Sequence, residues 1–341
     1  MNGIERIMAT LNGQEKDQTA VILTLSLYGA GLIKAPLFEY YNRPELYAEG
    51  QAAVRETFHP DLILTPFFIP GEGEAFGSVV KYFNSDAPNI RKPATESAEA
   101  LLKLPVPDIN DSTRLQYFIK ATELVAKQCS QDTLIGSVMV SPIDLPAVIM
   151  GIDGWLETIL FKTDIARAFC EKTTEYFVKR ANAFLAAGAN LIVLPVCFCN
   201  PEIITPFILN NIAIPIYREA FKQVKGPIVL HHTGSPMNAF NGFLKDLPNV
   251  IGFCVDPKDN LDVARENIGE HKLLLGNIDG PTLNKYSAEN ISRRCKRILT
   301  NRVNDNHFIL ASSAADIPLN TPPENIHAIL QSVSDFKKEN E

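Results

Sequence analysis

The stretch GPIVLHHTGSP, residues 226–236, contains the pattern that decides the fold. A short run of apolar and β-branched residues follows Gly226, ends at His231 and His232, and leads into a Thr-Gly-Ser-Pro turn. An apolar run without alternation is typical of a parallel strand that is buried on both faces. Histidines at the end of such a strand are the residue type that metal sites and acid/base sites use.

Seven further runs of this kind occur along the chain, most of them bounded by Gly, Pro, Asn or Asp. They are TAVILTL near residue 20, DLILTPF near 62, TLIGSVMV near 135, NLIVLPV near 192, VIGFCV near 252, KLLLGNI near 274 and HFILAS near 309. Helical patterns lie between them, and Ser287 is placed to cap one of these helices. Eight strands with intervening helices predict a (β/α)8 TIM barrel, an α/β fold, as a single domain over residues 1–341.

Two features of the chain bear on this prediction. The alternative fold is a doubly wound sheet, but no G-x-G-x-x-G follows any of the strands to support a dinucleotide site. The segment 71–107 interrupts the alternation and contains Pro88, Pro93 and Pro105. We expect this segment to be an excursion over one rim of the barrel.

Composition excludes several classes of function. The net charge is −7 and no dense Lys/Arg run occurs, so nucleic acid is not an expected partner. The start of the chain has no signal-peptide pattern, and the uncharged segment 181–201 contains Gly188, Asn190 and Pro195, which favour a helix end, a turn and a strand over a membrane span. The six cysteines are spread along the chain as expected for reduced thiols, which predicts a cytoplasmic protein without a membrane partner.

A TIM barrel brings the residues at the carboxyl ends of its strands to one face, where the chemistry of such barrels takes place. Thiols, imidazoles, amides and carboxylates converge there, and this set suits a zinc–thiolate site or an acid/base site. We predict catalytic roles for His231, Asp256, Glu72 and Glu74, and substrate binding by His232, Asn277 and Asp279. Other strand-end candidates are Cys197, Cys199 and Cys254.

Structural roles are open for several of these residues. Neighbouring His231 and His232 should point to opposite sides of the strand, so one of the two is expected to be structural. Cysteine is a common buried residue, and Cys197 is expected in the core, whereas Cys199 and Cys254 suit either role. Asp256 and Asp279 suit capping of turns, and the Gly-rich loop around Glu72 and Glu74 suits either a substrate contact or a solvated position.

Five motifs, in this order along the chain, resemble the uroporphyrinogen decarboxylase superfamily and, within it, the cobalamin-dependent methyltransferases. The resemblance extends nearly from end to end. The motifs are TPFFIPGEGEAFGS (residues 65–78), GPIVLHHTG (226–234), VDPKDNLDVAR (255–265), LLGNIDG (274–280) and ILASSAADIPLNTPPENI (309–326).

The resemblance implies a barrel that binds zinc through a histidine, a cysteine two residues later and a second cysteine near the end of the chain. His231 aligns with the histidine, but Thr233 and Ala315 stand at the two cysteine positions. A neutral hydroxyl is a poor zinc ligand and a methyl group is none. Either the metal has been lost or other ligands hold it, and for the second case we predict His231 and Cys199 as ligands.

The resemblance further implies transfer of a methyl group between a small-molecule donor or acceptor and a corrinoid protein. No Asp-x-His-x-x-Gly pattern occurs in the chain, so the cobalamin is expected on that partner. The decarboxylase branch fits less well, because Lys34 is the only basic residue between Thr19 and Asn42 and Phe68 stands at the position of its aspartate. Decarboxylation of uroporphyrinogen, and a barrel that binds a ligand or partner without turnover, remain the alternatives.

Overall fold

The computed structural model describes residues 1–340, and each of the eight predicted runs forms a strand in it. The strands are β1 (Ala20–Ile22), β2 (Leu62–Leu64), β3 (Val79–Lys81), β4 (Asn89–Lys92), β5 (Leu134–Val138), β6 (Leu191–Val196), β7 (Ile228–His232), β8 (Val250–Cys254), β9 (Leu273–Asp279) and β10 (Phe308–Ser313). β3 and β4 form a separate hairpin. The other eight strands lie side by side in one parallel sheet, in the order β1-β10-β9-β8-β7-β6-β5-β2.

The two ends of this sheet meet near Asp61, at the entrance to β2. The Asp61 amide donates to the carbonyl of Val21 at 3.2 Å, and the Val21 amide donates to the Asp61 carboxylate at 2.7 Å. These bonds join β1 to the segment leading into β2 and close the seam of the barrel. The predicted (β/α)8 barrel is confirmed.

Helices connect the strands on the outside of the barrel. They are α1 (Gly3–Leu11), α2 (Tyr28–Leu32), α3 (Leu37–Tyr40), α4 (Pro44–Phe58), α5 (Ile69–Ala75), α6 (Ala98–Lys103), α7 (Thr113–Cys129), α8 (Leu145–Met150), α9 (Ile152–Phe161), α10 (Thr163–Ala186), α11 (Pro206–Ile208), α12 (Ile214–Phe221), α13 (Asn238–Leu244), α14 (Leu261–Ile268), α15 (Ala288–Asn301) and α16 (Pro323–Asn340). A π-helical turn (Leu209–Ala213) precedes α12, and a 3-10 helix (Gly280–Lys285) follows β9. The Ser287 hydroxyl accepts the Asn290 amide at 3.3 Å, which confirms the predicted cap of α15.

The excursion after β2 contains more regular structure than the sequence suggested. It holds α5, the antiparallel β3–β4 hairpin and α6. Glu72 and Glu74 lie on α5, so the expectation of a Gly-rich loop at this place was wrong. Gly73 serves close packing, since a Cβ atom on it would lie 2.2 Å from the carbonyl oxygen of Val148.

The barrel separates the buried residues into two layers. Side chains that point outward pack between the strands and the helices. Side chains that point inward form a second cluster, which includes Leu62, Leu134, Val229 and Ile309, and helix α1 adds Ile7 to it. Within residues 1–340, no helix has the length and apolar character needed to span a membrane.

Candidate functional site

His231 ends the inward-facing row of β7, where its imidazole lies at the carboxyl-terminal end of the hollow inside the barrel. Its side chain is buried, and neither ring nitrogen has a hydrogen-bond partner in the part of the chain that the structure describes. The ring of Phe67 meets it edge-on, with the ring centroids 5.8 Å apart. Burial, with a smaller effect from neighbouring His232, lowers the pKa of His231 to about 3, so the imidazole is neutral.

His232 points to the opposite side of the strand, as neighbouring residues of a strand must. Its Nδ1 lies 3.6 Å from the carboxylate of Asp259, and its ring contacts that of Phe253. Asp259 in turn accepts the amides of Met237 and Asn238. His232 therefore braces the loops after β7 and β8, and its contacts give no support to the predicted role in substrate binding.

Thr233 and Cys197 form the next contact at the mouth of the barrel. The Thr233 hydroxyl donates to the sulfur of Cys197 at 3.0 Å, which joins the ends of β6 and β7. Burial, together with the charge of Asp144, raises the pKa of the Cys197 thiol to about 12, so this sulfur is protonated. Cys197, expected in the core, is partly buried at this end of the barrel.

Cys199 lies in the other layer. The strand ends at Val196, the chain bends, and the Cys199 side chain packs outward with the core between strands and helices. Its amide and that of Phe198 donate to the buried carboxylate of Asp144, at 3.2 Å and 2.7 Å. Burial raises the pKa of the Cys199 thiol well above its usual range. His231 faces the hollow and Cys199 faces the helices, so the structure does not bring the two predicted ligands together.

The donor set does not fit the zinc ion that the family resemblance implies. Thr233 offers a hydroxyl already engaged by Cys197, and Ala315 offers no donor atom. Among the described residues, no group of three or more His, Cys, Asp or Glu side chains is arranged to hold a metal ion. We therefore derive no step of the chemistry through a bound zinc.

Glu72 is committed to an ion pair in the protein interior. It contacts the Arg180 guanidinium and accepts the amide of Val140, and both side chains of the pair are buried. Arg180 is also stacked between aromatic rings, 4.8 Å from that of Phe118 and 5.0 Å from that of Phe184. These contacts join α5 to α10 and do not place the carboxylate at His231.

Glu74 lies on the same helix with one third of its side chain exposed. Its carboxylate accepts a 2.7 Å hydrogen bond from Arg114, whose guanidinium also donates to the Tyr41 carbonyl. This network ties α5 to the segment before α4. The catalytic roles predicted for Glu72 and Glu74 thus find no support in their contacts.

The remaining predicted residues follow β8 and β9. Asp256 is buried, its Oδ1 accepts the Lys258 amide at 2.9 Å, its Oδ2 has no partner within the described chain, and burial raises its pKa. Asn277 donates to the carbonyls of Asp256 and Asp259, which holds the two loops together. Asp279 lies outside the barrel mouth, in a surface depression of about 390 Å³. Of these three residues, Asp256 is the one with a buried side-chain oxygen that has no partner within residues 1–340.

Sequence reasoning missed several residues that surround His231. Phe67 contacts its ring, and Thr24 and Ser312 line the same end of the hollow. Cys254 lines it as well and was among the predicted strand-end candidates. The period of two along the strands was the available signal, because Thr24 continues the inward row of Ala20 and Ile22. Phe68, predicted at the aspartate position of the decarboxylases, packs instead against Tyr41 and Phe118, so Phe67 is the residue that faces the mouth.

These features define a (β/α)8 barrel with a candidate site at the carboxyl ends of its strands. The chain belongs to the uroporphyrinogen decarboxylase (URO-D) family, which it matches over residues 2–336. It is 23% identical over 350 residues to the methylcobamide:CoM methyltransferase MtbA of Methanosarcina acetivorans, covering 98% of each chain. To the uroporphyrinogen decarboxylase of Salinibacter ruber it is 24% identical over 310 residues, covering 85% of this chain and 84% of that protein.

Among solved structures, a methyltransferase from Methanosarcina mazei superposes with a TM-score of 0.86 at 21% identity, covering 98% of this chain and 99% of that one. At this level of identity the superposition supports the barrel fold. The resemblance predicted from the sequence motifs is confirmed at the level of the family.

Proposed function

We propose that this protein is a corrinoid-dependent methyltransferase that moves a methyl group between a small molecule and a corrinoid on a separate partner protein. The observation that carries the proposal is His231, a buried imidazole at the mouth of the barrel whose two ring nitrogens have no hydrogen-bond partner within residues 1–340. Relatives aligned along 97–98% of the chain are named methylcobamide:CoM methyltransferases. We further propose one barrel domain over residues 1–341 and, from composition, a cytoplasmic location.

The side chains at the mouth favour an oxygen or nitrogen methyl donor over a thiol acceptor. Enzymes that use a thiol acceptor need its thiolate, and here the positions of two implied zinc ligands hold Thr233 and Ala315. A methylated oxygen or amine needs a hydrogen bond to the heteroatom as the carbon leaves it. The neutral imidazole of His231 can donate that bond from one ring nitrogen.

A cobalt(I) corrinoid on the partner protein would supply the electron pair for the new bond to the methyl carbon. The bond from that carbon to its oxygen or nitrogen breaks, and its electron pair stays on the heteroatom, which takes up one proton. The proton comes from solvent, and the neutral imidazole of His231 donates a hydrogen bond to the heteroatom that receives it. Asp256, two residues after the end of β8, is the remaining candidate for polar contact with the substrate.

Uroporphyrinogen decarboxylation is the alternative that the family name raises. Porphyrinogens carry many carboxylates, and the hollow under His231 is lined by no charged side chain of the described chain. At the mouth, His231 faces the ring of Phe67 rather than a carboxylate. These surroundings would leave the carboxylates of a bound porphyrinogen buried and unpaired, which costs several kcal/mol for each of them.

The test is an activity screen on the pure protein. Cob(I)alamin is incubated with methoxylated compounds and with methylated amines, and methylcobalamin with coenzyme M, while the cobalamin spectrum is followed. Uroporphyrinogen is supplied in a parallel reaction. We expect methylation of cob(I)alamin by at least one oxygen or nitrogen donor. Decarboxylation of uroporphyrinogen, or no turnover in any reaction, would refute the proposal.

A further inference from the structure

We propose that the hollow inside the barrel binds the neutral, apolar part of the methyl substrate, of about the size of one aromatic ring. This inference rests on the proposed function and names the class of its substrate. The hollow has a volume of about 240 Å³ and runs from the base of the barrel up to His231. Helix α1 covers its lower end with Ile7, Met8 and Leu11.

Small residues occupy some of the inward positions that usually carry branched side chains in such barrels. TIM barrels fill their interior with layers of Val, Ile and Leu. Here Ala20 and Ala311 belong to the inward cluster. A Cβ atom on Gly136 would lie 3.2 Å from Leu62, Leu64 and Val193, so this glycine also faces inward. The side chains of Leu62, Leu64 and Val193 close over Gly136, and they also line the open space along the barrel axis.

The lining sets the chemistry of the ligand. Sixteen of the twenty lining residues are apolar, counting Cys254 and Pro227, and the other four are Thr24, Asn190, His231 and Ser312. An ammonium, sulfonate or carboxylate in this space would lose its hydration without gaining an ion pair. The ligand that fits is therefore neutral and mostly apolar.

The polar groups fix the orientation of that ligand. Ser312 is engaged with Thr24, since its hydroxyl accepts the Thr24 amide at 2.8 Å. The side-chain amide oxygen of Asn190 accepts the Ile135 amide at 2.8 Å, and this residue is exposed at the base of the barrel. Both nitrogens of His231 are free within the described chain. The substrate's heteroatom consequently lies at the upper end, beside His231, and its apolar body extends down toward Leu275 and Val229.

The volume limits the size of the apolar body. An engineered apolar cavity of about 150 Å³ stays dry and binds benzene. The hollow is larger at about 240 Å³, which gives room for a six-membered ring with one small substituent. Methoxybenzene combines a neutral ring with a methylated oxygen and is the simplest probe of this kind.

The experiment measures binding by calorimetry or ligand-observed NMR, without any corrinoid. The probes are methoxybenzene and two charged rings of similar size, benzoate and N-methylpyridinium. Val229→Phe fills the hollow, and Leu275→Ala enlarges it. Leu274→Ala is the matched control, because Leu274 is the neighbouring residue of β9 but packs in the outer layer.

We expect wild type to bind methoxybenzene and to bind both charged rings at least tenfold more weakly. Val229→Phe should weaken methoxybenzene binding at least tenfold, Leu275→Ala should admit 2-methoxynaphthalene, and Leu274→Ala should bind as wild type does. Equal binding of neutral and charged rings, or no binding of methoxybenzene up to its solubility, would overturn the inference. If Val229→Phe does not fold, Leu275→Ala decides the question. A Leu275→Ala variant that excludes 2-methoxynaphthalene as wild type does would also overturn the inference.

The two proposals fail separately in this design. Methyl transfer to cob(I)alamin without binding of neutral rings leaves the proposed function standing and removes the apolar site. Binding of methoxybenzene that responds to Val229→Phe, without transfer from any donor, supports the site and refutes the methyltransferase.

Discussion

The buried pair of Glu72 and Arg180 gives the sharpest prediction about stability. Both side chains are at most 2% exposed, and Arg180 has its carboxylate partner on α5. Glu72→Gln removes the negative charge and leaves the guanidinium in the interior without a counter-ion. Loss of one partner from a buried ion pair costs about 3–5 kcal/mol. Stacking of Arg180 on two aromatic rings favours the lower part of that range.

Glu74→Gln is the matched control for this substitution. Glu74 lies two residues further along α5 and pairs with Arg114, but one third of its side chain is exposed. Solvent screening limits the loss to about 1 kcal/mol or less. Urea unfolding followed by the fluorescence of Trp155, the only tryptophan and a fully buried one, measures both variants. Equal destabilisation by the two substitutions would refute the structural role of the Glu72–Arg180 pair.

Three further predictions concern Asp316, zinc and the cysteines. Burial, against hydrogen bonds from the Leu27 and Ser26 amides, raises the pKa of Asp316 to about 7 from an ordinary value of 3.8. Between these two pH values the Asp316 carboxyl group holds a proton in the folded protein but not in the unfolded chain. Its contribution to stability is therefore fully present below about pH 4 and is lost as the pH rises to about 7, by about 4 kcal/mol in total. Asp316→Asn should lose less stability than wild type over that interval, and parallel curves in urea unfolding would contradict this. The double substitution Thr233→Cys/Ala315→Cys should give a protein that carries near-stoichiometric zinc by metal analysis, because it supplies the two thiols that the family resemblance implies together with His231. Zinc equally low in this variant and in Thr233→Cys alone would count against this prediction. Cys199→Ala should have the same metal content and methyl-transfer rate as wild type. Zinc that is bound by wild type and lost in this variant would show that Cys199 is a ligand.

The barrel and its rim were predictable from the sequence, whereas several side-chain directions at the rim were not. Apolar runs such as PIVL before His231 specify buried strands, and parallel strands bring their carboxyl ends together. Beyond the end of a strand, the alternation of side chains no longer predicts which way a residue points. Cys199 turns toward the helices because Asp144, on another loop, accepts its amide, and the sequence contains no local sign of that contact.

Glu72 illustrates the same limit. PGEGEAFG has the composition of a flexible loop, yet it forms helix α5, with Gly73 against Val148 and Glu72 against Arg180 of α10. These partners are distant in sequence, so tertiary packing overrides the local pattern. The apolar character of the hollow, in contrast, could be predicted from the sequence, since inward positions of the strands carry residues such as Leu62, Val229 and Ile309.

The most direct test of a methyl-transfer site around His231 compares wild type with His231→Ala and His232→Ala. The measurement is the rate of cob(I)alamin methylation from the best donor of the screen, with thermal unfolding as a check on folding. Positioned hydrogen-bonding or proton-transfer groups contribute about 10²–10⁴-fold to a rate. We predict that His231→Ala lowers kcat/KM at least 100-fold while it stays folded, and that His232→Ala lowers stability more than rate. A folded His231→Ala variant with the wild-type rate would contradict the account.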